Sequence, residues 1–317
     1  MKKTIEINKN DAGQRIDKFM AKNFPNLPMS MLYKAIRKKD VKVNSKRCEA
    51  SQKLEQGNLL YMFLHDDFLQ QKPKDYDFLK APTQLNILFE DENIMILDKK
   101  PGVLVHPDEN YHFDSLIARI QHYLFDKGEY QPEKEKAFAP ALINRIDRNT
   151  GGIVMAAKNS ETLRIMNQKV KDREIDKFYL CVVDGVPSEK EAFLKDFLVK
   201  NEKQNRVYIS NKPSSDSKTI LTKYKVLKSD NTKSLVEVEL LTGRTHQIRA
   251  HMASIGHPLL GDGKYGKNEI NKALGLKYQA LYSHKLIFNF STFAGALEYL
   301  NHKEFTSSKP WFMGMFK

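Results

Sequence analysis

The run Ala141-Leu142-Ile143-Asn144-Arg145-Ile146-Asp147-Arg148-Asn149-Thr150-Gly151-Gly152-Ile153-Val154-Met155-Ala156-Ala157-Lys158 sets a polar, glycine-containing turn between two apolar runs. One carboxylate, Asp147, stands in that turn between Arg145 and Arg148. Neighbouring cations favour the charged form of a carboxylate, which an attacking or proton-accepting group needs. Asp and Gly are also ordinary turn residues, so spacing alone leaves a structural turn aspartate open beside a catalytic one.

Downstream, Leu240-Leu241-Thr242-Gly243-Arg244-Thr245-His246-Gln247-Ile248-Arg249-Ala250-His251-Met252 packs two arginines, two histidines and a glutamine around a glycine turn. Such hydrogen-bonding capacity is costly to bury without partners, so a ligand or a buried ion pair is expected to satisfy it. His246, His251 and His257 raise zinc, but the first two are five apart, off the i, i+4 face, and no cysteine completes a set. No metal is expected. Gly261-Asp262-Gly263-Lys264-Tyr265-Gly266 lacks the Lys-Ser/Thr ending of a phosphate-binding loop and reads as a tight turn.

Upstream, the first sixty-odd residues read as a small unit. Ile16, Phe19, Met20 and Phe24 recur at helical spacing and are stopped by Pro25 and Pro28. Ser30 is a candidate N-cap for a second helix, with Leu32, Ala35 and Ile36 inward and Lys34, Arg37 and Lys38 outward. Val41-Lys42-Val43 alternates like a short strand, and Lys39, Lys42, Lys46 and Arg47 enlarge the basic patch. A solvated face is the bland reading of that patch; contact with a phosphate backbone is the one its extent favours.

The whole chain has 317 residues, more than one ordinary domain, and 52 Lys and Arg against 39 Asp and Glu give a net charge of +13. That surplus favours polyanionic partners, nucleic acid first. Cys48 and Cys181 are the two cysteines, far apart, so neither a disulfide framework nor a thiolate metal site is indicated and a reducing, cytoplasmic setting is expected. Two N-terminal lysines lead into no apolar run, and no stretch is long enough to span a membrane.

The segment 70–83 mixes charge with Pro73 and Pro82 and separates the parts, giving expected domains at 1–66 and 84–317 joined by a linker over 67–83. Past it, Leu85 to Asp91 and Ile94 to Asp98 read as a hairpin, Ser115 to Phe125 as a helix, and Tyr179 to Val183 and Leu235 to Leu241 as strands. Tyr130 to Ala137, charged and containing Pro132, reads as a loop. Strands and helices intersperse without strict alternation, which favours an α+β domain with a mixed, mostly antiparallel sheet.

Two resemblances emerge from these residues. Arg15-Ile16-Asp17-Lys18-Phe19 through Lys34-Ala35-Ile36-Arg37-Lys38 to Val41-Lys42-Val43-Asn44 resembles the small α/β RNA-binding domain named after ribosomal protein S-four. The remainder resembles the large-ribosomal-subunit type of pseudouridine synthase, in ordered motifs. These are Ile94 to Pro107, the Asp147 turn, Lys177 to Gly185, Thr242 to Met252, Gly256 to Asp262, and Leu281 to Leu286.

That resemblance implies a cofactor-independent isomerisation of uridine in structured RNA, ribosomal RNA favoured and transfer RNA open, by a monomer. It implies Asp147 as the essential carboxylate, Tyr179 as the aromatic residue against the target base and a candidate base at carbon 5, and Arg249 as the partner of Asp147. Arg145 would hold the place of the extruded nucleotide. Arg15, Lys34, Arg37, Lys38, Arg244, His246 and Gln247 complete the expected RNA contacts. The family usually has His at Asn144 and Ser at Gly151; here Asn is expected to replace a hydrogen bond and Gly to relax the backbone. A non-catalytic RNA-binding or ribosome-assembly factor and an N-glycosidase or nuclease are the competing readings.

Overall fold

In the computed structural model, residues 2–70, 76–108, 113–135, 137–204 and 206–316 are described. The chain opens with β1 (Lys2–Glu6), α1 (Ile16–Asn23), α2 (Met29–Lys38), β2 (Val41–Val43), β3 (Lys46–Arg47) and β4 (Leu59–Phe63). The strands form an antiparallel sheet in the order β1-β4-β2-β3. Ile16, Phe19 and Met20 from α1 and Leu32, Ala35 and Ile36 from α2 bury against Val41, Leu60 and Met62 of that sheet. The period of 3.6 in the helices and of 2 in the strands thus meets in one core.

Helix α2 starts one residue before the expected Ser30 cap. Pro28, in extended conformation, is the cap, and its carbonyl accepts from the Leu32 amide at 3.0 Å. Proline supplies this acceptor at no cost because the missing N–H falls outside the helix. Lys39 closes α2 in the left-handed region, and Asn44 and Ser45, both at positive φ, turn β2 into β3 as a two-residue hairpin.

The larger part contains β5 (Ile87–Glu90), β6 (Ile94–Lys99), α3 (Leu116–Asp126), β7 (Ala141–Leu142), β8 (Gly151–Ala157), α4 (Ser160–Lys171) and β9 (Ile175–Asp184). It continues through β10 (Glu191–Asn201), β11 (Arg206–Ser210), β12 (Lys218–Ser229), β13 (Lys233–Leu240), α5 (Gln247–Ser254), α6 (Asn268–Ala273), β14 (Leu281–Phe288) and β15 (Glu304–Thr306). Among the described residues these strands form one mixed sheet in the order β11-β10-β12-β13-β9-β14-β8-β6-β5, with β7 on β8 and β15 on β14. Among the described strands, only β14 and β8 pair in parallel. This is the expected α+β, mostly antiparallel architecture.

Along β9 the period of two divides the core: Tyr179, Cys181 and Val183 enter the cluster under α3 and α5, whereas Leu180 and Val182 enter another on the opposite face. The parallel pairing sets the site's geometry. Ser283 on β14 stands opposite Tyr179 on one side and Gly152 on the other, so the strand bearing Tyr179 lies one strand away from the one that leaves the Asp147 turn.

The two parts are fastened to each other. Leu69, within the expected linker, belongs to the first core and Phe78 and Ala81 to the second; the linker positions 71–75 lie outside the described residues. Glu135 and Ala137, in the stretch read from sequence as a loop, dock against the first part. Asn10 donates to Glu135 Oε1 at 2.9 Å, the Ala137 amide donates to Asp11 Oδ1 at 2.9 Å, and Lys22 donates to the Ala137 carbonyl at 2.8 Å.

Candidate active site

Asp147 sits in the turn between β7 and β8, and backbone bonds on both sides hold that turn. The Thr150 amide donates to the Asp147 carbonyl at 3.1 Å and the Gly102 amide to the Arg148 carbonyl at 2.8 Å. Lys99, buried at the end of β6, donates from Nζ to the carbonyls of Lys100, Val103 and Arg148 at 3.1, 2.9 and 2.9 Å. Burial pushes the Lys99 ammonium down to about 7, against the pull of the Asp147 charge. Satisfying all three carbonyls takes all three protons, so the contact geometry is that of the charged form.

Asn144 fastens the other arm: its Oδ1 accepts from the Met155 amide at 2.7 Å and its Nδ2 donates to the Ile153 carbonyl at 3.3 Å. Gly151 has a different explanation from the expected backbone relaxation, since it is not among the glycines at positive φ. A Cβ there would lie 2.3 Å from the Tyr282 ring, so the residue is small because an aromatic side chain fills its space. Tyr282 is itself held by a 2.7 Å bond to Asp98 Oδ1. At Gly152, φ is +106° and a Cβ would stand 2.1 Å from the Ser283 carbonyl oxygen, which excludes a side chain on both counts.

Opposite the turn, α5 delivers Arg249. Its Nη1 donates to Asp147 Oδ2 at 2.7 Å, while Nε and Nη2 donate to the two oxygens of Asp262 at 2.7 and 2.8 Å. Asp262 is wholly buried and also accepts from the amides of Lys264 at 2.8 Å and Tyr265 at 3.1 Å. Burial works against the Arg249 charge, but the hydrogen bond and charge of Asp262, with those of Asp147 behind them, lift the guanidinium above its ordinary range. Burial likewise opposes the Asp262 carboxylate, and Arg249 with the two amides brings it below its usual value. The arginine is therefore a fixed cation with three nitrogens committed and one of them aimed at Asp147.

Tyr265 covers this pair, its ring centre 5.3 Å from the Arg249 guanidinium carbon and its hydroxyl 3.1 Å from His246 Nδ1. His246 precedes α5 at φ 53° and brings Nε2 to 3.8 Å from Asp147 Oδ2. Burial lowers its imidazole below the ordinary value although the Asp147 charge pulls the other way, so at neutral pH it is the uncharged ring that faces the carboxylate. Tyr179 is 6% exposed, and burial, with the Asp147 charge adding to it, pushes its phenol up to about 12.

The expected site residues thus divide. Asp147, Arg249 and His246 come together, and the charge of Asp147 reaches Tyr179. Arg145 and Arg244 are exposed. Gln247 is 2% exposed, accepting from Thr242 Oγ1 and the Arg244 amide and donating to the Leu221 carbonyl and Thr222 Oγ1. It pins the loop before α5 rather than facing outward. Arg15 is exposed and paired with buried Asp17. His251 and His257 turn to Asp196 and to the Asp184 carbonyl, away from His246.

Asp262, Lys99 and Tyr265 were not anticipated. A buried arginine with one carboxylate leaves other N–H groups wanting acceptors, and that requirement signals a second acceptor without saying which residue supplies it.

The class of protein that carries this carboxylate, its doubly anchored arginine and the buried tyrosine on a long mixed sheet is given by comparison with known proteins. The family model described as RNA pseudouridylate synthase matches residues 93–254. A ribosomal large subunit pseudouridine synthase C from Escherichia coli is 31% identical over 299 residues, 91% of this chain and 88% of that one. Its namesake from Vibrio parahaemolyticus is 31% identical over 90% of this chain and 87% of its own length. The solved structure of human RNA pseudouridylate synthase domain containing 4 shares the fold, with a TM-score of 0.56 at 22% identity over 72% of this chain and 90% of that one. This chain belongs to the RNA pseudouridylate synthase family and is an RNA pseudouridine synthase.

Proposed function

We propose that this enzyme isomerises uridines of large-subunit ribosomal RNA, with Asp147 as the reacting carboxylate on a nucleotide flipped out of its stack. The observation that carries the reading is the hold on Asp147: one Arg249 nitrogen at 2.7 Å, with the other two spent on a buried second carboxylate. Preorganisation of this kind keeps a reactive oxygen aimed with no rearrangement during the reaction. Ribosomal RNA is favoured because the similar bacterial enzymes carry that substrate class in their names, and the exposed basic helix α2 suits a phosphate backbone.

In the isomerisation the bond from N1 to C1′ breaks, the uracil turns, and C5 bonds to C1′; C5 loses a proton and N1 carries one at the end. The reaction balances without an external oxidant or reductant. Asp147 acts at the sugar–base junction, and Arg249 positions it. Tyr179 packs against the base. A phenol held near 12 stays protonated at neutral pH, so it suits a stacking surface and hydrogen-bond donor better than the expected base at C5. Arg145 and Arg244, both exposed, are assigned to the RNA backbone.

The test is Asp147→Asn. Turnover on ribosomal RNA transcripts should fall by roughly 10³-fold or more while RNA affinity stays within about twofold. Pseudouridine still formed at the parental rate by that variant would remove Asp147 from the reaction; free uracil or a cut strand from the parent would indicate a glycosidase or nuclease.

A further inference from the structure

Away from Asp147, the small N-terminal part carries a cavity of about 490 Å³ beside the basic face of α2 that the proposed function sets against RNA. Its walls are α2, contributing Ser30, Tyr33 and Arg37, and the end of β3 with the segment that follows it, contributing Arg47 and Ala50. Ser30, Tyr33 and Arg37 are three and four residues apart, so helical geometry puts them on one stripe, beside but distinct from the stripe of Lys34 and Lys38.

The aromatic wall is fixed rather than loose. The Tyr33 hydroxyl donates to Asp17 Oδ2 at 3.4 Å, although the residue as a whole is 41% exposed. Asp17 is 1% exposed and is gripped by Arg15 through Nε at 3.1 Å and Nη2 at 2.6 Å. The Asp17 amide also donates to the Ala50 carbonyl at 3.1 Å, which ties the opposite wall to the same residue. The buried Asp17 carboxylate therefore orients the tyrosine and Arg15, and the backbone amide of the same residue holds the far wall. Arg37 and Arg47 are exposed, and among the described residues neither has a carboxylate partner. The rim also holds Glu49, whose charge leaves the arginine side as the place for an anion.

An open aromatic face flanked by uncommitted guanidinium groups has the chemistry of a nucleotide site: every base offers a π face, and arginine matches phosphate with paired donors. A paired base within a duplex has no free face to present. We infer that this cavity takes one unstacked nucleotide of single-stranded RNA, its base on Tyr33 and its phosphate between Arg37 and Arg47. The inference rests on the reading of the chain as acting on RNA and adds to it a second point of grip, remote in sequence from Asp147. In this arrangement Arg15 positions Tyr33 through Asp17 and need not touch the RNA.

The test uses the full chain carrying Asp147→Asn, so that binding is read without turnover. A short oligouridylate containing 4-thiouridine should crosslink to Tyr33 on irradiation and bind more tightly than a paired duplex of the same length. Tyr33→Ala should weaken oligouridylate binding about tenfold and abolish the crosslink, whereas Tyr33→Phe, which keeps the ring, should retain most of the affinity. Arg37→Glu with Arg47→Glu should weaken binding at least as much and lower its salt dependence. Unchanged affinity in Tyr33→Ala, equal binding of the duplex, or displacement of the oligouridylate by polyglutamate at matched charge would overturn the nucleotide site. None of these results touches the role of Asp147, which parental turnover decides separately.

Discussion

Arginine is used in opposite ways in two regions of this molecule. Arg249 is buried, and three of its nitrogens are spent on two carboxylates within 2.8 Å. On α2, Arg37 and its neighbours Lys34 and Lys38 are exposed, and among the described residues none of the three is held by a carboxylate. The first arrangement fixes an atom in place and tolerates no change of geometry; the second leaves charge free to meet a polyanion and tolerates much. Substitutions at Arg249 and its partners should therefore act on rate, and substitutions on α2 on affinity and its salt dependence.

The sharpest way to break this contrast is Arg249→Lys, which keeps the charge and removes the fork. A lysine cannot bond Asp262 through two nitrogens and Asp147 through a third in the same plane. The turnover number should fall roughly 10²–10³-fold, with RNA affinity nearly unchanged, in a single-turnover assay. A fall in affinity without a fall in rate would mean that Arg249 serves binding. Asp262→Asn comes next. The amide keeps an acceptor for the Lys264 and Tyr265 amides but turns an N–H towards Arg249, loosening the anchor while leaving Asp147 in place. A loss of about 10²-fold in rate is expected, since a small misplacement of a reacting group has that cost. Substrate should bind as before.

These partners also mark how far the chain could be read without coordinates. The Asp147 turn, the strand of Tyr179 and the polar segment of Arg249 were legible because each is local: a glycine turn between apolar runs, a period of two, a dense run of hydrogen-bonding side chains. Asp262 was not. It stands 13 residues beyond Arg249 in a glycine-rich turn, and nothing local distinguishes a turn aspartate from one folded back into the core. Gln247 failed in the other direction, since a polar residue among arginines reads as outward-facing until its four hydrogen bonds are seen to close inside. Gly151 was legible as an exception but not as a consequence of Tyr282, which lies 131 positions away and is brought against it by the parallel pairing of β14 with β8. The docking role of Glu135 and Ala137 was hidden because their partners, too, lie far off in the sequence.

On the exposed side of the comparison, changing Lys34, Arg37 and Lys38 together to Ala should lower affinity for structured RNA by about tenfold at moderate salt and flatten the dependence of log K on log salt by about two to three. The saturated rate measures the other region and separates the two effects. An unchanged salt slope would return the three residues to an ordinary solvated face.

The smallest effect expected is one of pH, at a second buried pair that plays no part in the reaction. Lys169 donates to Glu174 Oε2 at 2.6 Å, and Ser291 Oγ and Thr292 Oγ1 donate to Oε1 at 2.7 and 3.0 Å. The Lys169 and Ser291 bonds hold the Glu174 carboxyl at about 2 against an ordinary 4.5, although burial opposes them. Between those values the unfolded chain takes up a proton that the folded chain refuses. The pair's contribution is therefore complete above about 4.5 and drains away as pH falls towards 2. Glu174→Gln should accordingly be less stable than the parent at neutral pH and should lose less than the parent does on acidification through that window, measured by denaturant midpoints at each pH. Parallel losses in the two proteins would show that the pair contributes nothing to acid sensitivity. Arg249 with Asp147 and Asp262 would then be left as the buried network whose geometry, rather than whose stability, the fold maintains.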